Sequence, residues 1–318
     1  MPIHVIHFEH QGRALWGVVR NKRITPIPGD FASTAAFVRG VDLAALAALG
    51  GATLDEREVT LLSPVTRNQQ FICQGANYRQ HMIESGVDPD AKRFNMFFEK
   101  ADASIQAPVG AIVRPAHVRL LDYEIELALV MKKPITGPGT VTADALHEYV
   151  FGITIANDVS ARDVQLPQTQ FFKGKSYRGF CPLGPYIALV DPSDMHYLDE
   201  LVLTLEVNGN VRQRDTTHNL VYKPAETISE LSTFSDVSPG DVLLTGTPAG
   251  CALRAPKRFL RNLMQLVLPE PRLWDTFVRM QSKRAEYLKP GDVVRATIAS
   301  EDHEIDLGAQ SHTVEEAP

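Results

Sequence analysis

The chain has 318 residues and 44% hydrophobic content, enough for one large core or two modest ones. Its 32 lysines and arginines against 38 aspartates and glutamates give a formal charge of −6, which offers no reason to invoke nucleic acid or an anionic membrane as a partner. The cysteines, Cys73, Cys181 and Cys251, are far apart and form no Cys-x-x-Cys pair, so a disulfide framework or thiolate zinc site is disfavoured and a reducing cytoplasm is expected.

The opening residues, Met1-Pro2-Ile3-His4-Val5, carry no basic leader, and no apolar run approaches the roughly 18 residues of a membrane span, so neither export nor spanning is predicted. Residues 1–66 read as a small α+β domain: strands near 3–8, 13–19 and 23–27, an alanine-rich helix near 31–49, and a strand near 58–62. His4, His7 and His10 do not make a metal site, because on a strand His7 points away from the other two.

Residues 67–318 change texture to long β-rich stretches punctuated by Pro-Gly turns, which predicts a mixed-β core. Pro239-Gly240-Asp241 and Pro290-Gly291-Asp292 echo each other as a turn feeding a strand. In Tyr78-Arg79-Gln80-His81-Met82-Ile83-Glu84 a helix brings His81 and Glu84 to i and i+3, so the carboxylate can orient the imidazole and raise its basicity toward water. Gly75 and Gly86 bracket this segment as for a movable lid.

Leu120 to Val130 alternates as a strand. Leu121, Tyr123, Ile125, Leu127 and Leu129 form one apolar face, while Asp122, Glu124 and Glu126 share the other with Ala128 and Val130. Adjacent carboxylates on a face that turns apolar repel one another unless a cation or proton intervenes, so Glu124 and Glu126 are read as divalent-metal ligands. A solvated acidic edge strand is the plain alternative. Asp158, at the exit of the strand-like run Val150–Asn157, is a third oxygen ligand or an ordinary helix cap. Three hard oxygens with no neighbouring histidine or cysteine suit magnesium, manganese or calcium better than zinc.

Phe171-Phe172-Lys173-Gly174-Lys175-Ser176 resembles the end of a phosphate loop, but Thr169 replaces the first glycine of that pattern. Lys175 instead suits stabilisation of an enolate. Thr245-Gly246-Thr247-Pro248 offers hydroxyls and a tight backbone approach for a carboxylate, or is only a turn. Residues 254–286 form a basic insertion with eight Lys and Arg against two acids from Arg254 to Arg284, predicted as two helices. It serves as a solvated outer face, a subunit contact, or a lid carrying arginine to an anionic substrate.

In this order, Asn77-Tyr78-x-x-His81-x-x-Glu84, Asp122-Tyr123-Glu124-x-Glu126-Leu127, Asn157-Asp158-Val159-Ser160-Ala161-Arg162-Asp163-x-Gln165, Gly174-Lys175-Ser176, Pro182-Leu183-Gly184-Pro185 and Thr245-Gly246-Thr247-Pro248 resemble the fumarylacetoacetate hydrolase family, in its shorter bacterial-type members. The resemblance implies an α+β, predominantly β fold with a mixed β-sandwich or β-roll core, a cytoplasmic homodimer, and Mg2+ or Mn2+ held by Glu124, Glu126 and Asp158. It further implies His81 as general base with Glu84 as partner, Lys175 on the enolate, and Tyr78, Arg162, Gln165 and Thr247 as substrate contacts. The activity so implied is hydrolysis of a C–C bond in an acylpyruvate or related diketo acid of aromatic catabolism. Decarboxylation, hydration or tautomerisation of a 2-oxo acid of the oxaloacetate type uses the same site chemistry. A non-catalytic binder working through the basic insertion is the remote alternative.

Overall fold

The computed structural model describes residues 2–318 except Ala52, Lys92, Thr169 and residues 255–268. Strands dominate, in an 11-stranded mixed sheet and a five-stranded sheet that pack face to face. In the middle of the large sheet lie, in spatial order, Tyr186–Leu189, Val150–Asn157, Ile125–Met131, Val242–Leu244 and Phe71–Gly75. All neighbours there are antiparallel except the last pair.

The strand Ile125–Met131 is buried along its whole length. Ile125, Leu127 and Leu129 meet Leu203, Leu205, Ala296 and Ile298 of the five-stranded sheet in the main core. On the opposite face Ala128 packs with Phe71 and Leu244, and Val130 with Trp16 and Phe37. A strand covered on both sides turns apolar on both faces, which is why the acidic positions give way to alanine and valine.

The predicted single strand is in fact two. Leu121–Asp122 pairs with Ser160–Ala161, and the chain breaks at Tyr123 and Glu124 before Ile125–Met131 begins. Side chains satisfy three successive backbone N–H groups at the break: Asp122 Oδ1 accepts from Tyr123 (2.9 Å), Asn157 Oδ1 from Glu124 (3.0 Å) and Gln213 Oε1 from Ile125 (3.0 Å). Those N–H groups therefore need no ladder partner.

The first strands, Ile3–His10, Arg13–Arg20 and Arg23–Pro26, lie where periodicity puts them. The long alanine-rich helix is split into Thr34–Gly40 and Leu43–Ala48, because Asp42 accepts from the N–H groups of Ala44 and Ala45 and caps the second. Residues Ile3 to Ile6 pair with Leu189 to Tyr186, so the N-terminal segment extends the large sheet. The two Pro-Gly-Asp turns match: Gly240 and Gly291 have φ of +90° and +92°, and Asp241 and Asp292 accept from the N–H three residues back at 2.7 and 2.8 Å. Of the predicted helical pair, Glu270–Gln281 is present with Arg272 and Arg279 exposed; the first helix, with Lys257, Arg258 and Arg261, falls outside the described residues. Among the described residues no helix is long and apolar enough to cross a membrane.

His312, on the strand Asp306–Glu316, is 1% exposed and donates Nε2–H to Ala107 O at 2.9 Å. Burial pushes its pKa down to about 4, only partly opposed by that carbonyl. An unfolded histidine protonates near pH ~6.5, so between there and pH 4 the unfolded chain binds the extra proton and stability falls as pH falls. Urea unfolding at stepped pH should show this loss, and His312→Gln should make the slope shallower by up to one proton; an unchanged slope would mean that His312 titrates normally.

Candidate active site

Four strand ends converge on one edge of the large sheet. Ile125–Met131 starts there, Val150–Asn157 stops there, and the loops after Val242–Leu244 and Phe71–Gly75 leave from there. Glu124 and Asp158 flank the first two ends, joined by Asp158 N–H to Glu124 O at 2.8 Å. The Thr245–Thr247 loop is stitched to the same strand: Thr245 Oγ1 donates to Leu127 O and Thr247 Oγ1 to Ile125 O, both at 2.9 Å, and Gly246 N–H donates to Glu126 Oε2 at 2.7 Å. Gly246 sits at φ +91°, with Gln74 O only 3.1 Å from where a Cβ would stand, so a side chain would push the loop off the strand.

Carboxylate oxygens of Glu124, Glu126 and Asp158 lie within 4.8 Å of one another, all three side chains buried. The sequence thus placed this trio correctly in space. Around them stand buried cations. Lys175 Nζ lies 2.5 Å from Glu124 Oε2 and 2.6 Å from Asp158 Oδ2, bridging two of the three acids. Lys100 Nζ is 2.5 Å from Asp158 Oδ1. Arg162 grips Asp122 Oδ2 through Nε at 2.8 Å, Glu124 through Nη2, and Gln165 Oε1 through Nη1 at 2.9 Å.

Electrostatics divides the acids. Burial opposes ionisation of Glu124, but Arg162 and Lys175 outweigh it and hold the carboxyl below the usual range. For Glu126, burial acts together with Asp158 and Glu124 and pushes the carboxyl well above it. Burial also opposes the charge on Lys175, yet Asp158 and Glu124 prevail and keep it protonated. A trio of acids in which a lysine ammonium bridges two and the third resists ionisation is a donor set suited to a hard divalent cation.

His81, from the helix Arg79–Glu84, lines the same cavity of about 390 Å3 together with Arg162, Gln165, Lys175 and Thr247. Desolvation pushes its pKa down to about 4, with Glu124 opposing, so the imidazole is neutral at neutral pH. The expected His81–Glu84 dyad is not formed. Glu84 pairs with Arg254 and accepts Gly250 N–H at 3.2 Å, while His81 Nδ1 faces Cys251 Sγ at 3.9 Å. The i, i+3 spacing brought the two near, but a cation from the insertion competes for the carboxylate.

Tyr78 does not meet the expectation of a substrate contact: it is 0% exposed and absent from the cavity wall, and its hydroxyl lacks a partner among the described residues. Arg162 and Thr247 line the cavity but spend their polar atoms on the protein, Thr247 Oγ1 also accepting from Gln213 Nε2 at 2.8 Å. Asp122 is structural, accepting from Ala252 and Leu253 N–H at 2.7 and 3.0 Å besides Arg162. Sequence reasoning missed Lys100, Gln213 and Cys251. Lys100 stands 58 positions from Asp158, and no local spacing signals the pair.

A two-sheet β-rich fold with a buried acid cluster at its strand ends, balanced by lysine and arginine, is of the α+β, predominantly β class. Residues 70–315 match the model of the fumarylacetoacetate (FAA) hydrolase C-terminal domain. The chain belongs to the fumarylacetoacetate hydrolase family. It is 35% identical over 266 residues to a mitochondrial oxaloacetate tautomerase of Bos taurus (82% of this chain, 74% of the relative), and 36% identical over 219 residues to an oxaloacetate tautomerase of Bacillus subtilis (67% and 70%). Among solved structures, the fumarylacetoacetate hydrolase of Exiguobacterium antarcticum superposes with TM-score 0.73 at 29% identity over 99% of this chain and 100% of that one. A probable 2-hydroxyhepta-2,4-diene-1,7-dioate isomerase of Mycobacterium abscessus gives 0.73 at 27% identity, with full coverage of both.

Lys100→Met should cost about 3 kcal/mol in urea unfolding, since breaking a buried pair costs roughly 3–5 kcal/mol and Lys175 remains beside Asp158. A loss below roughly 1 kcal/mol would mean that the pair is not structural.

Proposed function

We propose that the protein is a divalent-metal-dependent tautomerase of a 2-oxo acid, interconverting its enol and keto forms, rather than the C–C hydrolase first expected from sequence. The observation that carries this reading is Glu84, which is held by Arg254 and Gly250 and so does not orient His81 toward water as the expected dyad would. The activities named for the Bos taurus and Bacillus subtilis relatives agree with it. Glu124, Glu126 and Asp158 would hold Mg2+ or Mn2+, which when bound supplies Lewis-acid stabilisation of enolate charge.

The chain's own residues account for the proton. Neutral His81 accepts it from the enol hydroxyl as the C–O bond becomes C=O, and the same imidazolium returns it to C3 as the C=C bond becomes single. Lys175, kept protonated by Asp158 and Glu124, donates N–H to the oxygen on which charge develops. Arg162, fixed by Asp122 and Gln165, holds Glu124 in place.

With Mg2+, conversion of oxaloacetate enol to ketone, followed by loss of enol absorbance, should outpace cleavage of acetylpyruvate at least tenfold, and His81→Asn should lower kcat by about 10²–10⁴. Faster acetylpyruvate cleavage would return the hydrolase reading. Glu126→Gln should abolish the Mg2+-dependent rise in Tm, yet raise Tm in chelator by about 2–4 °C, because the amide needs no counter-charge. A Mg2+ response retained in that variant would remove Glu126 from the ligand set.

A further inference from the structure

We infer that the acid taken by this site is a monocarboxylate carrying a bulky apolar group, aromatic or branched, on the carbon next to the keto group. This rests on the 2-oxo acid reading above and concerns the other end of the same cavity.

Among the described residues every titratable side chain on the cavity wall, His81, Glu124, Glu126, Arg162 and Lys175, belongs to the acid cluster or faces it, and both permanent cations are already paired with acids. Besides the uncharged polar Gln74, Ser85, Gln165 and Thr247, the described wall carries an apolar stretch with Leu166, Phe171, Leu253, Leu273, Trp274 and Phe277. Three of these come from the helix Glu270–Gln281, where positions 273, 274 and 277 share one face. Val278 of that helix is 4% exposed in the main core, and Gln281 donates to Arg254 O at 2.9 Å and accepts from Tyr287 Oη at 3.0 Å. The helix is therefore anchored, with its apolar face toward the cavity and Arg272, Asp275 and Arg279 toward solvent. Trp274 and Phe277 meet edge to face at 5.8 Å and both remain half-buried, leaving ring surface for a ligand.

A cavity of about 390 Å3 falls within the range of roughly 300–1,000 Å3 that holds drug-sized ligands. Oxaloacetate would leave its second carboxylate against this wall with no cation there among the described residues to receive it, and a buried unpaired charge is unfavourable. A phenyl or branched alkyl group in the same position would bury apolar surface on the aromatic pair. The described part of the insertion thus brings the substrate a hydrophobic face, while Arg254 pairs with Glu84 and Arg272 and Arg279 face solvent.

Phenylpyruvate, pyruvate and oxaloacetate share one 2-oxo acid head and differ only in bearing phenyl, hydrogen or carboxylate on C3. Calorimetric binding to the Mg2+-loaded protein and tautomerisation kinetics are measured for all three. Phenylpyruvate should bind at least tenfold tighter than pyruvate and show at least tenfold higher kcat/KM than oxaloacetate. Trp274→Ala and, separately, Phe277→Ala should each shrink the phenylpyruvate-to-oxaloacetate ratio at least tenfold, and Trp274→Arg should swing it toward oxaloacetate. Because both acids are measured on one sample, a loss of folded protein cancels in the ratio. Turnover of all three with oxaloacetate preferred, or a ratio unmoved by every variant, overturns this inference and leaves the tautomerase reading standing. Tight phenylpyruvate binding that Trp274→Ala weakens, without turnover of any acid, supports the apolar site and sinks the tautomerase instead. Binding of none of the three overturns the inference.

Discussion

The site rests on an excess of negative charge buried at the end of the central strand. Asp122, Glu124, Glu126 and Asp158 are each at most 5% exposed, and the cations that balance them are Lys100, Arg162 and Lys175. Four carboxylates against three cations leave one acid without a counter-charge, and Glu126, which accepts the Gly246 N–H, is the one that resists ionisation. Burial raises its pKa first, and the neighbouring Asp158 and Glu124 add to it. Such a cluster is costly to bury unless something supplies the missing positive charge, whether a proton or a divalent ion. The three cations come from distant stretches of chain, so folding and assembly of the site are one event. Lys100 follows the strand Met96–Glu99, Arg162 opens a short helix after Val150–Asn157, and Lys175 ends another.

What could be read from the sequence followed from this charge excess. Glu124 and Glu126 stand out because period-2 alternation puts acids where a buried strand wants apolar groups, and Asp158 stands out at a strand exit. The counter-charges were harder to see. Lys100 looks like any lysine at the end of a strand, and its partner is named only by the antiparallel pairing that brings Asn157 opposite Ile125. The break at Tyr123–Glu124 was hidden for the same reason, since Asn157 and Gln213 reach it from other strands. Local spacing was a sound guide to helices. The i, i+3 relation of His81 and Glu84 sits on a helix as expected, and so does the second of the two helices predicted for the insertion. It could not reveal what those helices meet.

The proposed proton transfer and the expected C–C cleavage share one requirement, a stabilised enolate, which explains how one family can hold both activities. They differ in whether water is made nucleophilic. In the proposed reading that difference turns on the contact made by Glu84. With Glu84 free, His81 would sit beside a carboxylate that stabilises imidazolium and favours proton abstraction from water. With Glu84 on Arg254 and Gly250, His81 has Glu124 as an acidic neighbour, and desolvation holds the imidazole neutral beside the Cys251 thiol.

The same segment of chain controls both halves of the pocket. Arg254, where the basic insertion begins, takes Glu84 from His81, and the helix Glu270–Gln281, where it returns, lays Leu273, Trp274 and Phe277 along the wall. The two ends are tied together, because Gln281 donates to the Arg254 carbonyl and Arg284 to that of Ala252. Apolar rings that exclude water also strengthen the pull of Lys175 on a developing enolate, since charge interactions grow as the local dielectric falls. In the proposed reading, an insertion that holds Glu84 away from His81 and lays apolar rings along the cavity would favour a proton shuttled within the site over attack by water.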